Sequence, residues 1–465
     1  MTVPAPAAQD QVAPVRHVRD GRRPDVLAAV GGALLVVAAV IVGTAIEHAD
    51  GTLRVGWPPL LADWLPHAGP GTPGAIAVAA AVIGYAPGLA GRLRWRTLVL
   101  GCWGVAMAWI WSLALIDGWY RGIAEQLTTK NEYLRVIGDF AAIGPTLRGF
   151  THHILIGTPH NWPAHVAGHP PGATLTFVWL DRIGLGGGGW AGVWCITVGS
   201  SAAAAVLVGL RALTDEKTAR SAAPFLVLAP AAVWMGTSAD GYFAAVAAWA
   251  LALLSVAASR TARHPVLLSL AAGLLFGWTL YVSYGLTLVA VPAAAVLLLT
   301  RTLRPVVPVL AGVALVALPF TLAGFNWWEA YQLLVERYYQ GSGGVRPQSY
   351  WVWGNLANAV IITGLASVAG LRRALAGAPG AVRRLHSRRS TATDRLVVLV
   401  LAALLALLIA DLSGMSKAET ERIWIPFAVW LLPAAALLPS RDARRWLALQ
   451  GVLALLVNHL LLTGW

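Results

Sequence analysis

Charge is scarce in this chain: only 12% of its 465 residues are Asp, Glu, Lys or Arg, while 57% are hydrophobic. So little charge cannot clothe a water-facing surface on all sides, which excludes a soluble globular protein. Cysteine is scarcer still. Cys102 and Cys195 both fall inside apolar stretches, which rules out a disulfide framework or a thiolate metal site and leaves small buried side chains as their reading. A phosphate-binding loop is also missing, because "LGGGGW" (Leu185–Trp190) has no Lys-Ser/Thr behind it. No nucleotide site is visible on any basic loop and no heme is expected, so any group-transfer chemistry would have to draw on the membrane for its donor.

Apolar sequence fills the chain, and the mean hydropathy is +0.66. Stretches of roughly 15 to 22 residues recur from Asp25 onward, long enough or nearly so to cross a hydrocarbon core of ~30 Å as helices. The expected spans are 26–46, 73–90, 97–116, 189–210, 221–236, 241–258, 265–283, 285–300, 305–323, 354–371, 396–412, 423–439 and 445–463. This is an all-α, polytopic membrane protein of about thirteen spans. The N-terminus is a poor signal peptide, since a polar tail precedes the first apolar run and no small-residue cleavage site follows it, so Val26–Ile46 reads as a retained span.

The net charge of +13 invites a nucleic-acid partner, but its distribution argues for none. Basic residues cluster between spans: Arg16, Arg19, Arg22 and Arg23; Arg92, Arg94 and Arg96; Arg211, Lys217 and Arg220; Arg260 and Arg263; and the run from Arg372 to Arg395. Such short basic loops set orientation and contact membrane lipids. They place the N-terminus in the cytoplasm and most acidic residues outside, in a multi-pass cell-membrane protein. The organisation that follows is a cytoplasmic tail (1–25), a two-span addition (26–96), a main membrane domain (97–440) and a last span (441–465). Within the main domain lie two external loops, 117–188 and 324–354, and the basic cytoplasmic loop 372–395.

A loop as long as 117–188 is functional or disordered as a rule, and its composition argues against disorder. Trp119, Tyr120, Tyr133, Phe150 and Trp162 suit short interfacial helices anchored at the membrane surface. "GATLTFVWLDRIGL" (Gly172–Leu185) reads as an external interfacial or re-entrant helix with Pro170 and Pro171 in its first turn. In 324–354 the first half has helical spacing (Trp328, Tyr331, Leu334, Val335, Tyr338), and the second half reads as a flexible aromatic-rich linker.

The informative polar residues sit at the outer mouths of spans. Asp117, Glu132 and Asp240 would be partly desolvated there, which suits a base for a hydroxyl; two of them, Asp117 with Asp240, could hold a divalent cation such as Mg or Mn. Each is also read as a solvated charge or a helix cap, and "SAD" before the 241–258 span makes a good N-cap. Lys417 and Arg422 could neutralise a phosphate, or form with Glu421 an i, i+4 ladder beside a snorkelling Arg422. His165 and His169 are four apart, yet the intervening "VAG" and the following "PP" argue against a continuous helix there, and with His152, His153 and His160 they match no zinc pattern. Hydrogen bonding of His169 to a phosphate or sugar is the functional alternative to a structural role. Tyr284, in "YVSYG", marks a smaller external feature.

Taken together, "LALIDGWYRG", "NEYL", "GHPPGATLTFVWLDRIGL", "TSADGYFAAVAAW" and "SKAETERIWIPF" resemble the GT-C superfamily of integral membrane glycosyltransferases, in particular its integral membrane branch in high-GC bacteria. The resemblance runs from about Thr97 to Ser440. It implies an inverting transfer, at the external face, from a polyprenyl-phosphate sugar to an envelope glycan, lipid or protein acceptor. It further implies a base at Asp117 or Glu132, a second acid at Asp240, a phosphate contact at Arg422 and a polar residue before Pro-Pro at His169, with His165, Lys417, Glu421 and Tyr284 lining the substrate site. The family's adjacent acidic pair is not cleanly present, because Gly118 follows Asp117 and Asn131 precedes Glu132. A ligase-like or polymerase-like envelope enzyme would share this topology and donor. A secondary transporter would instead bury ionisable groups or broken helices mid-membrane, and a non-catalytic relative could keep the loops without the chemistry.

Overall fold

The computed structural model describes residues 21–259 and 262–464; Arg16 and Arg19 of the expected tail, Arg260 and Trp465 lie outside the described residues. Among the described residues, eight helices are long and apolar enough to cross a membrane: Arg22–Asp50, Thr72–Arg92, Trp95–Asp117, Gly188–Leu213, Ala239–Ala258, Pro265–Val282, Gln348–His386 and Ala392–Leu412. A ninth is formed if Val306–Leu322 and Trp327–Gln340, bent by 78° at their junction, count as one. The chain is a helical membrane protein.

The expected thirteen spans are thus not thirteen continuous helices. Residues 221–236 divide into Glu216–Val227 and a 3-10 turn at Pro230–Val233. Residues 423–439 divide into Thr420–Ile423, Ile425–Ala428 and Leu432–Leu437. Pro230, Pro426 and Pro433 stand at these breaks, where a missing N–H and a ring clash stop a helix from continuing. Residues 284–300 begin as a 3-10 turn, Tyr284–Val289, before the Ala290–Thr300 helix. The last helix, Ala443–Leu460, gives way to a strand, Leu461–Thr463, that pairs antiparallel with Ala62–Trp64. That ribbon ties the 51–71 loop to the end of the chain.

One end of the bundle is basic and is locked by Asp25, whose buried carboxylate receives Arg372 and Arg373 at 2.7 Å each. Residues 117–188 gather at the other end, and they are packed rather than spread on a surface. Trp119 and Tyr120 are exposed as expected of anchors, but Tyr133, Phe150 and Trp162 are buried. Trp162 stacks between Phe140 (6.1 Å) and Phe150 (5.5 Å), and Phe150 meets Phe325 edge-on at 5.7 Å. Aromatic cohesion replaces membrane anchoring here.

The Gly172–Arg182 helix is likewise internal, since every side chain from Ala173 to Val178 is buried. Its Pro-Pro-Gly entry has a steric reason: a Cβ at residue 172 would run into the Tyr281 carbonyl, so only glycine permits the close approach. The expected linker after Gly341 is ordered too. It forms a turn at Ser342–Val345 and the start of the Gln348–His386 helix, which buries Tyr350 and Trp351.

Candidate functional site

Asp240 opens the Ala239–Ala258 helix, and the expected cap is present: the Ser238 hydroxyl accepts the Asp240 N–H at 3.1 Å. The cap holds the Asp240 carboxylate at the loop-rich end, where it is 4% exposed. Arg422, on the Thr420–Ile423 turn, donates from Nη1 to Asp240 Oδ2 and from Nη2 to Glu419 at 2.8 Å. Nη2 also lies 3.0 Å from His165 Nε2. Guanidinium only donates, so Nε2 accepts and the imidazole proton sits on Nδ1. There it faces Glu132 Oε1 at 2.7 Å.

Behind Arg422, Arg346 pairs with Glu419 at 3.5 Å and donates to the carbonyls of Leu53 and Lys417, both at 2.9 Å. Six ionisable side chains therefore interlock from loops far apart in sequence. Ala418 and Glu419 take left-handed backbone angles, φ 68° and 59°, a strain of about 1 kcal/mol or more each that swings Glu419 onto Arg422. Burial alone would raise the Glu419 carboxyl, but Arg422, His165 and Arg346 hold it down to about 2.

Arg422 does not snorkel; it is 5% exposed and held inside by its acceptors. Nor does Lys417 form a ladder with Glu421. The Lys417 ammonium donates to the Gly343 carbonyl at 3.0 Å and sits 5.5 Å over the Tyr339 ring. Glu421 is fully buried, accepting from the Leu61 N–H at 3.0 Å and from Asn358 at 3.2 Å, and burial, with Glu419 nearby, pushes its carboxyl up to about 7. Asp117 is bound apart from this network, to Arg121 at 2.7 Å and His67 at 3.1 Å.

A cavity of about 440 Å³ opens beside the network and brings together three of the expected residues, His169, Asp240 and Tyr284. Its walls include Phe243, Tyr331, Trp424 and Phe427, the mixture of apolar surface and a few polar groups that marks ligand sites. His169 follows a one-turn helix, Ala164–Gly168, and its Nδ1 donates to the His165 carbonyl at 2.7 Å. Its Nε2 is left as an acceptor. Burial pulls the imidazole down to about 4, so it is neutral at physiological pH.

Sequence reasoning missed Glu419, Arg346 and Trp424. Glu419 and Trp424 lay inside the quoted "SKAETERIWIPF" and shared its signal; Arg346 had none beyond composition. A divalent cation held between Asp117 and Asp240 does not fit what is present. Among the described residues no three His, Cys, Asp or Glu side chains converge as a ligand set, and Asp117 and Asp240 belong to separate ion-pair groups.

No family model matches the chain, and no curated protein matches it in sequence. Among solved structures, it is similar to the oligosaccharyltransferase of Archaeoglobus fulgidus. The apo form gives a TM-score of 0.45 at 14% identity, covering 74% of this chain and 50% of that one. The form tethered to an acceptor peptide with the NVT sequon gives 0.40 at 14% identity, covering 74% and 49%. The chain thus spans about half the length of those proteins, and a likeness at this level carries nothing about activity.

Proposed function

We propose that the protein is a membrane glycosyltransferase of the GT-C type. In this reading the loop-rich end faces outside, and a sugar passes from a polyprenyl-phosphate donor to a hydroxyl of an envelope glycan, lipid or protein. The observation that carries it is the cavity at the loop-rich end with one carboxylate, Asp240, in its wall. Asp240 Oδ2 is fixed by Arg422 and Ser238, while no hydrogen bond among the described residues engages Oδ1. That oxygen is the base. The acceptor O–H gives its proton to Oδ1, the oxygen forms the bond to the anomeric carbon, and the bond from that carbon to the phosphate oxygen breaks. Polyprenyl phosphate leaves, and a single displacement inverts the anomeric centre.

Glu132, His165 and Arg422 act through one another as positioning residues, and Asp117 has no part in the step. The test is transfer from a panel of polyprenyl-phosphate sugars by detergent-purified wild type, Asp240→Asn, Glu132→Gln and Asp117→Asn, with thermal melts as folding controls. Loss of about 10²-fold or more in Asp240→Asn, the range of general-base contributions, is expected while Asp117→Asn keeps its rate. An active Asp240→Asn would overturn the assignment.

A second reading, a secondary transporter, is favoured by one feature. The Gln348–His386 helix breaks at Gly364 (φ 77°, ψ 163°) next to Gln450, whose amide is fully buried with neither atom partnered. Broken helices beside buried polar groups occur where solutes cross. Solute-driven flux in liposomes without turnover of any donor would select this reading.

A further inference from the structure

The end of the bundle opposite the 117–188 loops carries a cavity of its own. Thr72 stands at the loop-rich end, since the Gly71 N–H donates to the Leu115 carbonyl at 3.0 Å, so Arg92 marks the far end of that helix. There a cavity of about 410 Å³ opens between the Thr72–Arg92 helix, the Glu216–Val227 helix and the Ser440–Asp442 turn that leads into Ala443–Leu460. Of its lining residues Pro224, Phe225 and Leu438 are buried, whereas Arg441 and Arg444 are exposed. The cavity therefore has an apolar floor and a cationic mouth, and no acidic residue is among the described residues that line it.

Among the described residues, positive charge outweighs negative around that mouth. Glu216 is shared by Arg220 at 2.6 Å and Arg211 at 2.9 Å, and Asp442 by Arg445 at 3.4 Å and Arg441 at 3.9 Å. Each nearby carboxylate thus faces two guanidiniums. Arg444 forms no ion pair among the described residues, and guanidinium takes phosphate oxygens two at a time. The cavity is also open to the side. Only 22% of the apolar stretch of Thr72–Arg92 is buried, so most of that helix faces the bilayer, and Gly88, in the cavity wall, is exposed. Glycine inside a helix is destabilising relative to alanine, and no packing demands it here, because a Cβ at residue 88 would meet no atom within 4 Å. Its effect is to leave the space unfilled.

We propose that this cavity binds the headgroup of an anionic phospholipid. The lipid phosphate lies at Arg444 beside Arg441, and the glycerol and first acyl carbons cover the floor of Pro224, Phe225 and Leu438. Basic pockets between membrane helices hold such headgroups. A zwitterionic headgroup would bring its own cation to a mouth lined by arginines and no carboxylate, and a free phosphate would use the arginines while leaving the apolar floor bare. The site is independent of the glycosyltransferase reading, since it shares no residue with the cavity beside Asp240.

Native mass spectrometry of the detergent-purified full chain, titrated with phosphatidylglycerol, phosphatidylcholine or glycerol phosphate, measures this binding directly. Phosphatidylglycerol is expected to bind at least about fivefold more tightly than phosphatidylcholine, and Arg444→Gln to weaken it about fivefold, the worth of one arginine at an anionic lipid. Arg389→Gln, which removes an exposed arginine from the 372–395 loop instead, should leave it unchanged. Gly88→Leu fills the cavity from its open side and should weaken phosphatidylglycerol at least as much as Arg444→Gln does. Its melting temperature should not fall, since leucine is the better helix former. Equal affinity for the two lipids, equal losses in Arg389→Gln and Arg444→Gln, or undiminished binding by a folded Gly88→Leu would overturn the proposal. Displacement of phosphatidylglycerol by an equal concentration of glycerol phosphate would overturn it in favour of a soluble phosphate.

Discussion

Arg422 holds His165 in a single tautomer. The guanidinium reaches His165 Nε2 at 3.0 Å, so the ring proton lies on Nδ1 and meets Glu132 at 2.7 Å. Glu132 and Arg422 are joined through one imidazole, and Asp240 is joined to Arg422. Removing a member of such a buried set strands its neighbours. Arg422→Met is expected to destabilise the protein by about 3–5 kcal/mol, because Asp240 and Glu419 lose their common cation. Arg422→Lys should recover little of that, since one ammonium cannot reproduce the guanidinium fork. His165→Ala should cost about 1–3 kcal/mol, the range for a buried charged acceptor losing its donor. Thermal melts in detergent rank the three. An Arg422→Lys melt equal to wild type would contradict the shared-cation account.

Glu419 and Glu421, two residues apart, are expected to respond to pH with opposite signs. Glu421 has its folded carboxyl raised to about 7. Its contribution is therefore full below the unfolded value of about 4.3 and is lost as pH rises toward 7, by about 4 kcal/mol at most. Glu419, held down to about 2, contributes above about 4.3 and loses that contribution as pH falls toward 2. Melts across pH 5–8 should show wild type losing stability with rising pH relative to Glu421→Gln, which has no proton to release. Parallel curves for the two proteins would refute the raised carboxyl.

His169 is neutral across the physiological range, since burial pulls it down to about 4. No inflection near pH 6.5 in the transfer rate should trace to it, and His169→Ala should remove an acceptor rather than a charge, with a loss of about five- to tenfold. Comparing the pH profiles of wild type and His169→Ala is the check. A wild-type inflection near 6.5 that disappears in the variant would mean the imidazole titrates during turnover.

Much of this was legible in the chain, and the illegible part has a physical cause. Eight of the expected spans became long helices, although one of them, Gln348–His386, breaks at Gly364. The broken ones read as spans because hydropathy averages over proline. Pro230, Pro426 and Pro433 carried the missing signal. Asp240 was legible because a carboxylate after "TS" at the mouth of an apolar helix has few roles, and Ser238 does cap that helix. Its partners were hidden: His165 lies 257 residues from Arg422, and Asp240 lies 182 from it. Local patterns report helix faces; they carry no record of which distant loops meet. Lys417 and Arg422 looked like phosphate ligands for that reason, because the carbonyls and carboxylates that occupy them come from elsewhere.

The break at Gly364 gives the last prediction. At φ 77° an L side chain is strained by about 1–2 kcal/mol, and an added Cβ would overlap Gln450 Oε1 and press on the Pro230 ring. Overpacking of that kind adds about 1–3 kcal/mol. Gly364→Ala is therefore expected to cost about 2–5 kcal/mol, far above the usual effect of glycine to alanine in a helix, which is stabilising. The overlap term depends on Gln450 and the backbone term does not. Combining Gly364→Ala with Gln450→Ala should restore the overlap part alone, giving a coupling of about 1–3 kcal/mol in a double-mutant cycle. If Gly364→Ala raised the melting temperature instead, the helix would be continuous through residue 364, and the broken-helix feature behind the transporter reading would go with it.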